Sequence, residues 1–348
     1  NKKLHIFYFF QVPVLIVLNP LLLINIRAKT AKRSPDGNRS WLPVLLVLLL
    51  VYGKVYPVLA QGKSGHSTVQ KKSIRRSAST KIRASSTKKT TSTRTGKPIK
   101  KTTTTVNVPM FGPKYARVTV RDQTLAGAVY YLVSGHGGPD PGAIGHYGKY
   151  PLAEDEYAYD VTIRLARVLT EHGATVYMIV RDPNDGIRDE PILNLDRDEV
   201  TYPSQKIPLS QVRRLRQGVD AINKLHRKHK GAYQRMVTIH VDSRSEGQNI
   251  DVFFYHHESS SVGKKLATHI HKSFQSGYKR SQPTRNYLGT VSNRSALYVV
   301  KNTHPPTVFI ELGNIRNAKD QQRFLLANNR QALANWIGSG LQTAYKTR

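Results

Sequence analysis

The sequence predicts an α/β fold: a single domain with a central, mostly parallel or mixed sheet flanked by helices, preceded by a disordered basic linker. Three observations lead there. Short runs rich in Val, Ile and Tyr alternate with longer amphipathic runs from residue 107 onward. Three of the short runs end in a histidine or an acid beside a turn, the place where α/β sheets gather their chemistry. The net charge of +32 is concentrated outside these runs, in the N-terminus and in residues 61–106.

Residues 1–40 carry a ragged apolar run, Ile6 to Ile24, broken by Gln11, Pro13, Asn19 and Pro20. We treat them as an unreliable N-terminal extension, either a membrane segment or sequence upstream of the true start. Residues 41–60 read as a secretory signal peptide: Lys29, Lys32, Arg33 and Arg39 precede the apolar run Trp41–Val51, and Leu59-Ala60 offers a small residue at the cut. The run is shorter than the ~20 residues a spanning helix needs, and an uncleaved inner-membrane anchor is the other reading. Either way the expected location is outside the cytoplasm, in the periplasm or cell envelope.

Residues 61–106 hold thirteen Lys and Arg and no Asp or Glu, in a Ser/Thr-rich background with almost no large apolar side chains. Such a stretch cannot bury enough surface to offset its chain entropy, so it is expected to be a disordered tether. Its charge suits anionic envelope polymers as partners, or merely keeps it solvated. No specific nucleic-acid partner is expected in that location. Cysteine is absent, which excludes disulfides, thiolate metal sites and a cysteine nucleophile.

Residues 107–348 form the expected domain. Ala116–Val120 and Ala126–Val133 read as strands, and Tyr157–His172 as a helix with Val161, Leu165, Val168 and Leu169 on one face. Gly173 ends it. Ala174–Val180 is the next strand. Residues 181–208 exceed ordinary loop length and suggest a functional surface insertion, a lid, a partner site or decoration. Ser210–His229 is a second helix; Val237–Val241 and Ile250–Tyr255 are strands. Val262–Phe274 is a helix, Ala296–Val300 a short strand, Thr307–Leu312 a strand, and Asp320–Tyr345 one long helix.

The chemistry sits at strand ends. His136 follows the Ala126–Val133 run, His240 lies near the end of the next central run, and Glu311 near the end of the last. A fourth candidate is the acidic string Glu154-Asp155-Glu156 before the first helix. Two imidazoles and one carboxylate with an open fourth position suit a catalytic zinc, and a further carboxylate suits general acid/base work. The turn at His136 alone is equally compatible with a structural role. Glu156 is the second choice of acidic ligand, or a solvated first-turn acid favoured by the helix dipole. Asp140 reads as a turn-former; Asp242 orients a ligand or caps a turn. His256, His257, His269 and His271 have spacings that turn them apart, and read as structural or surface residues.

In their order and spacing these motifs resemble the zinc-dependent N-acetylmuramoyl-L-alanine amidases of the type 3 family, which cleave peptidoglycan. The likeness spans nearly all of 128–345. It rests on Gly135–Ala143, on Thr238-Ile239-His240-Val241-Asp242, on Ile310-Glu311-Leu312-Gly313-Asn314, and on Asn317 and Asp320. The family's acidic ligand opens the first helix, and counting back from Gly173 places it at Glu154. The resemblance implies that His136, Glu154 and His240 hold Zn2+ and that Glu311 is the catalytic acid/base. It implies hydrolysis of the amide between N-acetylmuramic acid and L-alanine, with peptidoglycan as substrate. Asp242 stands where the family has Asn, and Asn314 where it has Phe. The 181–208 stretch is longer than the family's link and a candidate docking place for a regulatory protein. An arginine common in the second helix falls near Gly218, leaving Arg214 or Arg216 as stand-ins. A catalytically silent or regulated wall-binding protein on the same fold is the alternative. A basic nucleic-acid binder leaves the strand-end motifs unexplained.

Overall fold

The computed structural model describes residues 104–243 and 249–348. The N-terminal extension, the signal segment and the linker up to residue 103 lie outside the described residues, which fall within one unit, Thr93–Arg348. In chain order the strands are β1 (Thr105–Asn107), β2 (Arg117–Thr119), β3 (Ala128–Ser134), β4 (Ile144–Tyr147) and β5 (Tyr150–Ala153). Helix α1 (Glu154–Glu171) follows, then β6 (Thr175–Met178), β7 (Val180–Arg181), β8 (Val200–Thr201) and β9 (Gln205–Lys206). Next come α2 (Gln211–Lys228), β10 (Tyr233–Asp242), β11 (Phe253–His256), α3 (Ser261–Ser281) and β12 (Thr290–Asn293). The chain closes with α4 (Tyr298–Asn302), β13 (Thr307–Asn314), α5 (Ala318–Leu325) and α6 (Ala327–Lys346).

Six strands form the central sheet in the order β12-β11-β13-β10-β3-β6. Every neighbouring pair is parallel except β11 with β13, so the sheet is mixed, as the sequence led us to expect. Its inner strands are nearly continuous apolar runs because both faces are covered. Alternate residues part accordingly. Tyr130 and Leu132 of β3, with Val237, Ile239 and Val241 of β10, join the large core under α1, α3 and α6. Val129 and Tyr131 point to the other face, where Ile222 and Leu225 of α2 meet them. That period of two leaves His240 on the α2 face of the sheet, while the β3 turn rises past its C-terminal edge.

Several elements differ from the sequence expectation. Helix α1 begins at Glu154, three residues early, so that Glu154, Asp155 and Glu156 occupy its first turn, where the macrodipole favours acids. Residues 296–300 are not a strand. Tyr298–Asn302 forms one helical turn, closed by a hydrogen bond from Asn302 Nδ2 to Tyr298 O, and β12 takes the sheet edge instead. Its β-branched valines suggested a strand, but Val300 is buried beside Tyr255 and Phe309 as a helical residue. The C-terminal helix is two helices. Asn317 caps the first through Lys319 N and Asp320 N, and Leu326 breaks the run at φ −91°, ψ 117°. The carbonyls freed there are taken by the buried guanidinium of Arg330, which donates to Phe324 O and Leu325 O.

Residues 181–208 are also unlike a draped surface loop. They form a small antiparallel sheet, β7-β8-β9, and bury Ile187, Leu193 and Ile207. Arg330 Nη2 donates to Arg188 O (2.8 Å) and Glu190 O (2.9 Å), and Arg164 Nη2 pairs with Asp189 (3.0 Å). Part of its polarity is thus taken up by the buried arginines Arg164 and Arg330 rather than by solvent.

Candidate metal centre

The turn after β3 is built so that two imidazoles can converge. Gly135 N donates to Ile239 O (2.7 Å), extending the β3–β10 ladder by one residue. A Cβ on Gly135 would stand 2.3 Å from the ring of His240, so only glycine lets that ring lie against the strand. His136 then adopts φ +65°, a left-handed conformation that a non-glycine residue holds only when its surroundings enforce it. Gly142, at φ +68°, passes so close that a Cβ would meet His136 Cδ2 at 2.7 Å and Glu154 Oε2 at 2.8 Å.

Glu154 is the first residue of α1 and lies between the two rings. Its Oε2 is 3.2 Å from His136 Nε2, and its Oε1 is 3.0 Å from His240 Nδ1. Two backbone donors fix it: Ala143 N to Oε2 (2.9 Å) and Val241 N to Oε1 (3.0 Å). Val241 N is available because the β10–β13 register shifts between His240 and Asp242. The His240 ring stacks on Phe309, centroids 4.3 Å apart and planes 13° apart. His136, Glu154 and His240 thus present donor atoms that all lie within 4.8 Å of one another.

Asp140 does more than shape the turn. Its Oδ1 accepts from Gly142 N, and its Oδ2 faces both His136 Nδ1 (3.0 Å) and Arg214 Nη2. A carboxylate at Nδ1 fixes the proton there and aims the Nε2 lone pair at the shared centre. Of the two arginine stand-ins, Arg214 reaches this network. If the three groups hold a zinc ion, Asp140→Ala is expected to weaken its binding about 10–100-fold without unfolding the domain, read by competition with a chromogenic chelator alongside the melting temperature.

The charges follow the geometry. Burial works against a charge on His136, but hydrogen bonds to Asp140 and Glu154 outweigh it and hold the imidazolium up to about 10. Glu154 is kept well below the carboxylate range by the two histidines, despite its burial. His240 is pushed down by burial. In the metal-free protein a proton on His136 thus supplies the positive charge that this donor set requires.

Glu311 lies directly beside His240 in the parallel β10–β13 register. Its Oε2 is buried with no hydrogen-bond partner among the described residues, and burial, then the charges of Glu154 and Asp242, push its carboxyl well above the usual range. A cavity of about 240 Å3, walled by Val133, Ile179, Leu215 and Phe309, opens beside the two histidines. Glu156 faces away from the centre, bonded to Arg188 (2.9 Å) and to Asp196 N (2.9 Å). His256, His257, His269 and His271 make other contacts, such as His271 Nε2 with Gly289 O (2.8 Å). Glu199 escaped the sequence reading altogether: its Oε2 accepts from Gly138 N at 2.6 Å, pinning the histidine turn to the 181–208 stretch. Phe309 was likewise missed, since nothing in an apolar strand marks one residue as a shelf for an imidazole.

Residues 131–343, more than half of the chain, match the profile of the N-acetylmuramoyl-L-alanine amidase family known as Amidase_3. The chain belongs to this family. Among amidase relatives, the germination-specific N-acetylmuramoyl-L-alanine amidase of Bacillus subtilis (strain 168) is 25% identical over 200 residues, covering 56% of this chain and 70% of that protein. The probable cell wall amidase LytH of Staphylococcus aureus is 27% identical over 231 residues, 64% of this chain and 60% of that one. The chain therefore spans less than two thirds of the staphylococcal amidase. Among solved amidase structures, the CwlV catalytic domain from Bacillus (Paenibacillus) polymyxa var. colistinus is similar at 20% identity, 64% coverage of this chain and 99% of that one, with TM-score 0.46. AmiC2 of Nostoc punctiforme is similar at 20% identity, 64% and 99% coverage, with TM-score 0.44.

Proposed function

We propose that the chain is a zinc-dependent peptidoglycan hydrolase that cuts the amide between the lactyl group of N-acetylmuramic acid and L-alanine. The observation that carries this reading is the convergence of His136, Glu154 and His240, with Glu311 one strand away. The donor set fits zinc: two ring nitrogens and one carboxylate, drawn together by three separate elements, is a usual three-ligand arrangement for that metal in hydrolases. His136, Glu154 and His240 would hold the ion, which when bound supplies Lewis acidity, polarising a carbonyl oxygen and acidifying water.

The protein's own groups then have separate tasks. Asp140 and Arg214 keep His136 oriented, and Phe309 keeps His240 against the sheet. Glu311 Oε2, which has no other partner among the described residues, accepts the proton of the attacking water as the new C–O bond forms. It returns that proton to the departing nitrogen as the C–N bond breaks. The upward pressure on its carboxyl makes it a better proton acceptor than an exposed glutamate; a divalent cation nearby opposes that pressure and brings it back towards neutrality.

Export follows from the signal-like segment 41–60, placing the enzyme in the periplasm or cell envelope, with the basic stretch 61–106 touching anionic envelope polymers. A regulatory protein acting on residues 181–208 would reach the site through Glu199 and Gly138. The test is digestion of purified sacculi by the purified zinc-loaded chain, with products identified by mass spectrometry. Peptides with a free L-alanine amine and glycans with intact lactyl groups are expected. Folded, zinc-loaded protein that binds sacculi and releases nothing would replace this reading with the silent wall-binding one.

A further inference from the structure

We infer that the 181–208 stretch holds a hard divalent cation of the calcium class, separate from the histidine centre, through Asp182, Asp196 and Glu199. Carboxylate oxygens of these three residues lie within 4.8 Å of one another, about the greatest separation for oxygens bound to one ion at the 2.3–2.6 Å of calcium coordination. Asp182 and Glu199 are only 3% and 4% exposed. Two oxygens of the group, Asp182 Oδ2 and Asp196 Oδ1, are buried with no hydrogen-bond partner among the described residues. Buried carboxylate oxygens rarely go unpaired, because each costs desolvation that nothing returns.

The neighbourhood adds negative charge rather than relieving it. Asp155 and Glu156 form a second buried group with the same Glu199, and Asp155 Oδ2 also has no partner. The nearby guanidinium, Arg188, is engaged with Glu156 Oε2 (2.9 Å) and with Asp185. Among the described residues no lysine or arginine pairs with Asp182, Asp196 or Glu199. Burial pushes Asp182 up to about 6 and Glu199 up to about 7. An all-oxygen set without histidine selects a hard ion over zinc.

The consequence reaches the reaction site. Glu199 uses one oxygen to hold Gly138 N at 2.6 Å, two residues after His136, and a cation on the other side of that carboxylate would fix its position. The ion would clamp the small β7-β8-β9 sheet to the histidine turn.

Terbium tests this, because Tyr159 can sensitise its emission: the tyrosine hydroxyl lies 3.5 Å from Asp182 O and 3.3 Å from Asp185 O. In the full chain, with zinc loaded so that the histidine centre is filled, Tb3+ is expected to emit on tyrosine excitation and to be displaced by Ca2+. Millimolar Ca2+ is expected to raise the melting temperature. The double variant Asp182→Asn/Asp196→Asn, which keeps side-chain shape, is expected to lose Tb3+ affinity by about tenfold or more, since ligand charge sets affinity in such sites. Should the double variant fail to fold, Asp196→Asn alone, at a partly exposed position, carries the same comparison. Emission that Ca2+ does not displace would overturn the inference, as would emission equal in variant and parent or a melting temperature indifferent to Ca2+.

Discussion

Glu311→Gln is expected to lower turnover on muropeptides by about 10²–10⁴-fold, the usual contribution of a positioned acid/base, while leaving zinc content unchanged. The amide keeps the shape and the apolar contacts of the glutamate but cannot take the proton of the attacking water. It also removes a stability cost. A carboxyl whose folded value is raised costs nothing below its ordinary value and destabilises progressively as pH climbs past it. The variant should therefore melt no lower than the parent at pH 8. Loss of rate with retained zinc and undiminished stability is a combination that damage to packing would not produce. Wild-type turnover in this variant would remove Glu311 from the reaction.

Chelation is expected to abolish activity and to destabilise the protein more at pH 9 than at pH 6. The sign comes from His136. Without metal, its bonds to Asp140 and Glu154 hold it up to about 10 against an ordinary 6.5. The stability this provides is complete below the ordinary value and disappears as pH rises through the folded one. Metal binding runs the other way, since it needs the imidazoles unprotonated. Melting curves with and without chelator should thus diverge as pH rises. Curves that stay parallel would mean that His136 does not exchange a proton for the metal.

Much of the site was legible because its chemistry is written in short local strings. The apolar run into Gly135-His136 and the strand around His240 announce their own geometry: a strand pins the residue and a glycine turns the chain. The residues alone offered only the string Glu154-Asp155-Glu156; the choice of Glu154 came from the family resemblance, counted back from Gly173, since propensity started that helix at Tyr157. The partners that orient the candidate ligands were harder to read. Arg214 and Asp140 are 74 residues apart in the chain, Phe309 and His240 lie in separate strands, and no periodicity links either pair. The 181–208 stretch misled for a related reason. Its acids and arginines look solvated in a linear reading, yet Arg164 and Arg330, from distant helices, draw it into the body of the protein.

The pairing of His240 with Glu311 on adjacent parallel strands bears on when the enzyme becomes able to act. The four residues proposed for the reaction sit at positions 136, 154, 240 and 311, and the last joins the others only when β13 has docked beside β10 at the middle of the sheet. Closing such distant contacts is slow, because the chain loses loop entropy before any of them rewards it. A nascent, threaded or half-folded chain would carry every residue of the hydrolase and none of its capability. If the proposed activity holds, this topology ties it to completion of the central sheet, since no shorter piece of the chain brings all four residues together.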